Sequence, residues 1–203
     1  STIGYSSIES GEYTVVFSNK VMASLLGVYS SIFSAEAAQK GLSLLKDKEG
    51  EIIASDIVTL TDDPMYKDSL VKASFDDEGA ATYAKNVIEN GKFTTFLHNL
   101  ATAAKAGVKT RGNGYKGSYA SPVGINHYNF YINPVKGSLE DLFAEAGNGV
   151  YITEVEGMHA GADAISGDFS LSSGGFRIED GKKTTPVKGI TISGNFLQLL
   201  KDI

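Results

Sequence analysis

The chain has 203 residues and a formal net charge of −6, with no cysteine and eighteen basic residues. Its length allows a buried core, and the lack of cysteine excludes disulfides and thiolate metal sites. The acidic balance is unlike that of nucleic-acid binders, which carry a basic patch. No apolar run approaches the ~20 residues of a membrane-spanning helix, and Ser1–Glu12 has no signal-peptide pattern. We therefore expect a cytoplasmic protein that contacts neither nucleic acid directly nor a membrane.

The N-terminal half of the sequence predicts short strands and helices. Ser10–Phe17 has the composition of a strand, and Ser18 or Asn19 can then cap a helix whose apolar residues fall on one face. We predict a loop at Thr61–Pro64, because a proline disfavours helical backbone in the residue before it. Asn90–Gly91 lies between two β-like runs and predicts a hairpin turn.

The C-terminal half continues this mixture of short elements. Asn99–Lys105 reads as a helix, Asn126–Ile132 as an aromatic-rich strand and Val150–Val155 as a further strand. Ser138 and Asp141 form a capping-box pattern at the start of another helix. Many short strands, several hairpin turns and separated helices predict an α+β fold. We expect a mainly antiparallel, barrel-like sheet arrangement with several short helices.

A stretch rich in small residues precedes two β-like runs near the end of the chain. The runs are Gly175–Glu179 and Val187–Ser193, and Asp180–Gly181 predicts a two-residue turn after the first of them. Glycine and other small residues permit positive φ or the close approach of another backbone. The stretch therefore predicts a tightly packed turn or a docking surface, and its small residues are Gly157, Ala160, Gly161, Ala162, Ala164, Ser166 and Gly167.

Two short motifs suggest chemistry but fit ordinary structure better. Gly112–Gly117 matches the spacing GxGxxG, although a dinucleotide site needs a strand before the motif and a helix after it. The residues that follow the motif, 118–122, end in proline and do not favour a helix. Asp76, Asp77 and Glu78 could hold a cation, but no EF-hand spacing follows them. We interpret these three acidic residues as a solvated turn.

The three histidines do not form a recognisable metal motif. His98, His127 and His159 each lie alone in a different predicted element, whereas a catalytic zinc commonly uses two histidines one helical turn apart. The metal candidate that remains is His159 with Asp163 or Asp168. No GxSxG sequence marks a nucleophilic serine. The residue pattern by itself thus identifies no catalytic group.

Four motifs in the last forty or so residues resemble one known family. They are Ala164–Ser170, Gly174–Gly181, Pro186–Val187 and Ile190–Asn195. In order and spacing they are similar to the C-terminal half of the TldD/PmbA proteins, and of the two branches they resemble PmbA, also called TldE. The similarity runs from about residue 10 to residue 195, and it implies the fold of the TldD/PmbA C-terminal domain over residues 1–203 as a single domain.

The resemblance implies a role in peptide processing. TldD-type chains carry a zinc-binding HExxxH helix in their N-terminal half, and PmbA-type chains lack those ligands and pair with TldD. The pair resembles a cytoplasmic metalloprotease that trims unfolded or modified peptides. No counterpart of the N-terminal half is present in this sequence, and we expect the last segment of the family to be truncated too. The resemblance therefore transfers no catalytic or metal residue, and it implies zinc in the partner subunit rather than in this chain.

We expect this chain to be non-catalytic and to contribute partner pairing and peptide binding. The expected partner is a TldD-like subunit or a second copy of the chain. The candidate contact residues are Gly157, Gly161, Ser166, Gly167, Asp168 and Phe169. Two alternatives stay open at this point: a self-sufficient metallopeptidase with its metal at His159 and nearby carboxylates, or a scaffold protein of the gyrase-modulator type without peptide contact.

Overall fold

The structure, a computed structural model, describes residues 8–203 and divides the chain into two compact units. Unit 1 comprises Ser1–Val28, Pro134–Asp163 and Asp168–Asn195, and unit 2 comprises Tyr29–Asn133, Ala164–Gly167 and Phe196–Ile203. The single domain that the sequence predicts over residues 1–203 stays a prediction. Among the described residues, no helix is long and apolar enough to cross a membrane.

Six α-helices and ten strands make up the described chain. The helices are α1 Asn19–Tyr29, α2 Ala35–Gln39, α3 Leu100–Ala106, α4 Leu139–Ala146, α5 Met158–Gly161 and α6 Phe196–Lys201, and a 3₁₀ turn covers Ser30–Phe33. The strands are β1 Thr14–Phe17, β2 Leu60–Asp62, β3 Lys85–Glu89, β4 Lys92–Phe93, β5 Gly114–Tyr115, β6 Gly124–Ile125, β7 Phe130–Ile132, β8 Gly149–Glu156, β9 Asp168–Glu179 and β10 Lys182–Asn195.

Unit 1 is built on a four-stranded sheet with the order β1-β8-β9-β10. β1 runs parallel to β8, and the other neighbours are antiparallel. β9 and β10 form a long hairpin, and both residues of its predicted turn, Asp180 and Gly181, have positive φ, of 50° and 75°. Val16, Phe143 and Ile178 form a buried cluster in this unit. The ring of Phe143 meets Tyr151 edge-on at 5.0 Å.

Three of the helices begin where the sequence predicts, because the capping side chains act locally. Ser18 accepts a hydrogen bond from the backbone N–H of Val21 at 3.2 Å. Ser138 and Asp141 form a complete capping box at the start of α4. Asn99 caps α3 in the same way, with Thr102 as its partner. The capping predictions are therefore confirmed.

Unit 2 contains a second four-stranded sheet, with the order β4-β3-β2-β7, and a separate pair formed by β5 and β6. The predicted hairpin turn joins β3 to β4, and both Asn90 and Gly91 have positive φ, of 47° and 82°. Aromatic rings fill much of the interior. Phe33 packs edge-on against Phe93 at 6.2 Å and against Phe130 at 5.5 Å.

The α+β fold with mainly antiparallel pairing is confirmed, and several details are corrected. Each sheet of the described chain runs from one edge strand to another, so the barrel-like closure that we expected is wrong. The predicted loop Thr61–Pro64 overlaps β2, where Thr61 and Asp62 pair with β3 and β7. The predicted strand Asn126–Ile132 shortens to β7, because the backbone of Tyr128 and Asn129 instead donates to a carboxylate.

Candidate functional site

The predicted docking stretch leads from β8 into β9 through the short helix α5. Gly157 is the N-cap of this helix and has a φ of +73°, and a Cβ placed there would meet no atom within 4 Å. A Cβ on Gly161 would lie 2.3 Å from the carbonyl oxygen of Ser170 and 2.9 Å from Leu171 Cδ2. Gly161 thus permits a close backbone approach, and the backbone that it approaches is β9 of its own unit.

The other candidate contact residues differ in exposure and lie in both units. In unit 2, Ser166 is exposed, and the carbonyl oxygen of Gly167 accepts the backbone N–H of Phe196 at 2.8 Å. In unit 1, Phe169 is buried, whereas Asp168 is exposed and its Oδ1 accepts a hydrogen bond from the Asn195 side chain at 3.0 Å. Gly157, Ser166 and Asp168 are therefore the exposed members of the predicted set.

Strand β10 is the longest strand of unit 1 and forms one edge of its sheet. It has 14 residues, and among the described residues no further strand pairs with its outer side. Thr191 and Ser193 are exposed on one face, opposite Ser172 and Ser170 of β9. An uncovered strand edge presents backbone N–H and C=O groups that can pair with another extended chain. The edge along residues 190–194 therefore offers a geometry suited to an extended peptide.

The predicted metal candidates do not form a ligand set. The described residues contain no group of three or more His, Cys, Asp or Glu side chains placed to hold a metal ion. His159, Asp163 and Asp168 are each exposed. His98 is buried in unit 2 and lies 3.0 Å from the hydroxyl of Thr102, so its ring supports the start of α3. Burial, and next the charge of nearby Arg111, lowers the pKa of His98.

The acidic turn at residues 76–78 holds backbone in place. Asp76 is buried and accepts the N–H groups of Glu78, Ala80 and Gly114 at 2.9–3.0 Å. The carboxylates of Asp77 and Glu78 accept the N–H groups of residues 116 and 100. Our interpretation of a solvated turn is wrong for Asp76, because three backbone N–H groups, and not water, donate to its carboxylate.

Asp62 stands at the centre of a buried polar cluster that the sequence did not reveal. Its carboxylate accepts the N–H groups of Tyr128 at 2.7 Å and Asn129 at 3.1 Å, and the side-chain amide of Asn113 at 2.9 Å. Lys85 Nζ lies 3.8 Å from Asp62 Oδ2 and donates to Asn113 Oδ1 at 3.0 Å. Burial lowers the pKa of Lys85, and the charge of Asp62 opposes that shift. The cluster joins β2, β3 and the segment before β7.

A cleft of about 300 Å³ lies elsewhere in unit 2, and sequence reasoning also missed it. The 3₁₀ turn and α2 form one wall, and residues 125–127 form another. His127 lines the cleft, and its ring stacks on Phe130 with the centroids 4.7 Å apart and the planes 7° apart. Burial lowers the pKa of His127, although the charge of Asp62 acts in the opposite direction. Burial thus favours the uncharged form of the imidazole.

Comparison with known proteins places this geometry in a family. Residues 10–203 match the model of the PmbA/TldA metallopeptidase C-terminal domain, which covers parts of both units. Metalloprotease PmbA of Escherichia coli O157:H7 is 31% identical over 189 residues, which are 93% of this chain and 39% of that protein. The chain thus spans about two fifths of the length of the curated relatives that it matches.

Solved structures agree with the sequence comparison. A Thermotoga maritima protein, a proposed modulator of a DNA gyrase, superposes with a TM-score of 0.92 at 46% identity, over 98% of this chain and 45% of that one. TldE from Thermococcus kodakarensis superposes with a TM-score of 0.82 at 32% identity, over 92% of this chain and 42% of that one. The motifs that resembled the TldD/PmbA proteins are therefore confirmed, and the chain belongs to the PmbA/TldD family, of which it carries the C-terminal domain.

Proposed function

We propose that this chain is the C-terminal domain of a PmbA/TldE-type subunit in a TldD-type metalloprotease complex. The complex would process unfolded or modified peptides in the cytoplasm. Membership of a family named for metallopeptidases supports the proposal, as does the likeness to a TldE structure. The described residues form no three-ligand metal group. We assign the zinc to a TldD-like partner.

The uncovered edge of β10 carries the peptide-binding part of the proposal. A peptide that adds to this edge as a further strand would be held mainly through its backbone, so sequence preference would be low. Low preference suits a protease that acts on many unfolded chains. The exposed side chains along the edge are small, since Thr191 and Ser193 face one side and Gly194 follows them. A docked peptide would therefore meet little steric hindrance.

Substitution on the edge strand tests this mode of binding in the assembled complex. Thr191→Lys places a long charged side chain beside the docked peptide, and edge lysines are a known protection against strand addition. We expect peptide cleavage by the mixture of both subunits to fall several-fold. Ser172→Lys is the matched control, because Ser172 lies directly opposite Thr191 on the inner strand β9 and is also exposed.

The peptide itself provides a second test of strand addition. In an extended strand, alternate residues direct their N–H groups to the same neighbour. N-methylation at successive peptide positions should therefore weaken cleavage at every second position by roughly 2- to 10-fold, which is the value of a backbone hydrogen bond. A loss without this period of two, together with equal effects of Thr191→Lys and Ser172→Lys, would rule out binding at the β10 edge.

A further inference from the structure

The cleft of unit 2 has polar side chains that the described protein does not use. The cleft is lined by Ser31, Asn126 and His127, and the described residues form no hydrogen bond to the hydroxyl, the amide group or the imidazole nitrogens of these three. Each group can both donate and accept a hydrogen bond. The ring of His127 is held in one plane by its stacking on Phe130. The cleft therefore presents donors and acceptors that the described protein leaves unused, and among them the His127 ring is held in one orientation.

The cleft carries almost no net charge. Its two formally charged lining residues, Glu36 and Lys40, form an ion pair with 2.8 Å between Oε1 and Nζ. Burial lowers the pKa of His127, which favours the uncharged ring. A charged ligand would lose hydration without gaining an opposite charge in return. The lining favours a ligand that is neutral.

Size and apolar lining narrow the choice of ligand. Leu42, Leu97 and Ile125 contribute apolar surface to the walls. A volume of about 300 Å³ is at the lower end of the range for ligand pockets and corresponds to roughly ten water molecules at ~30 Å³ each. A segment of one or two amino-acid residues has this size, and its peptide group supplies one donor and one acceptor close to small apolar groups.

We propose that this cleft binds an uncharged peptide group together with its flanking side chain. The inference deepens the proposed function and rests on it only for the source of the ligand, a peptide substrate. The preference for a neutral amide comes from the cleft itself. His127 and Asn126 exchange hydrogen bonds with the amide N–H and C=O, and the apolar walls cover the adjacent side chain.

Histidine signals of the full chain test the proposal without a partner subunit or any cleavage. With ¹⁵N-labelled histidine, we would add N-acetylalanine N-methylamide and follow the rings of the three histidines. We expect saturable shifts of His127, while His98, which is buried against Thr102, and His159, which does not line the cleft, stay unchanged. The matched ligand is methyl 2-acetoxypropanoate, in which esters replace both amides. It should bind at least roughly threefold more weakly, because it has no N–H donor.

Two variants assign the binding to this cleft. His127→Phe keeps an aromatic ring over Phe130 but removes both ring nitrogens, and Asn126→Ala removes an exposed amide. Each should weaken binding of the diamide by roughly 3- to 10-fold, as followed by amide chemical shifts of residues around the cleft. His159→Phe should leave it unchanged.

Several results would overturn the proposal. They are the absence of any shift of His127 up to the solubility limit, equal binding of the diester, and shifts of equal size with acetate or methylammonium. Unchanged binding in both cleft variants would do the same, and so would tighter binding of the neutral sugar methyl α-glucoside. None of these results depends on cleavage by the two subunits. Failure of this inference is therefore distinguishable from failure of the proposed function.

Discussion

The buried cluster around Asp62 gives a sharp stability prediction. Asp62 is fully buried and accepts three hydrogen bonds besides its ion pair with Lys85. Asp62→Ala removes all of these acceptors and leaves a buried ammonium group without its counter-ion. Breaking a buried pair from one side typically costs about 3–5 kcal/mol, a large part of the ~5–15 kcal/mol that stabilises a folded protein.

Lys85→Met should cost less, because Asp62 keeps its three N–H donors and a desolvated ammonium is removed. We expect about 1.5–3 kcal/mol, the value of a hydrogen bond to a charged group. Glu51→Ala is the control, since its ion pair with Lys48 is exposed and spans 3.6 Å. Exposed pairs contribute at most ~1 kcal/mol.

Urea unfolding followed by far-ultraviolet circular dichroism measures all three variants. With a slope of ~2 kcal/mol per molar urea, Asp62→Ala should lower the midpoint by roughly 2 M. Lys85→Met should lower it by an intermediate amount, and Glu51→Ala by the least. Equal midpoints for Asp62→Ala and Glu51→Ala would refute the reasoning, because they would mean that the buried carboxylate contributes no more than a surface one.

Three further predictions concern pH, packing and capping. His98 and His127 have pKa values below the ordinary 6.5, so the unfolded chain binds more protons than the folded chain below about that pH. The urea concentration at the unfolding midpoint should therefore decrease as the pH is lowered from 7.5 to 5.5. A midpoint that does not change with pH would contradict this. Gly161→Val should destabilise the fold far more than Gly157→Ala. A Cβ at residue 157 meets no neighbouring atom, so the only cost there is the strain of a positive φ. The melting temperatures of the two variants test this difference. Ser138→Ala should cost about 1 kcal/mol by loss of the α4 cap, and an unchanged unfolding midpoint would count against the capping box.

Local signals in the sequence predicted the ends of elements well. Ser138 and Asn99 cap helices through hydrogen bonds to residues only three positions away. The pattern that predicts these caps therefore spans only a few residues of sequence. Asn90–Gly91 and Asp180–Gly181 adopt the positive φ that their turns require. The family motifs in the last forty or so residues predicted the fold of the TldD/PmbA C-terminal domain. Their order and spacing are specific even where the hydrophobic periodicity is weak.

The buried polar cluster and the cleft could not be predicted in the same way. Asp62 looks like part of a proline loop because the donors that stabilise it lie 51 and 66 residues away, in Asn113 and Tyr128. The cleft likewise depends on α2 and residues 125–127, which are distant in sequence but line the same space. The length of β9 was underestimated, since Ser172 and Gly174 weaken its β-like composition. In each case the structure depends on contacts with residues distant in sequence, and local propensity alone does not predict such contacts.

Cleavage of an unstructured peptide tests the central claim most directly. The assay would use a purified TldD-type protein, the full protein that contains this chain, and their mixture. We expect cleavage by the mixture and none by the full protein alone, because the metal is assigned to the partner and peptide binding to this chain. Chelator-sensitive cleavage by the full protein alone would contradict the account, and so would cleavage by the TldD-type protein that is unaffected by adding it.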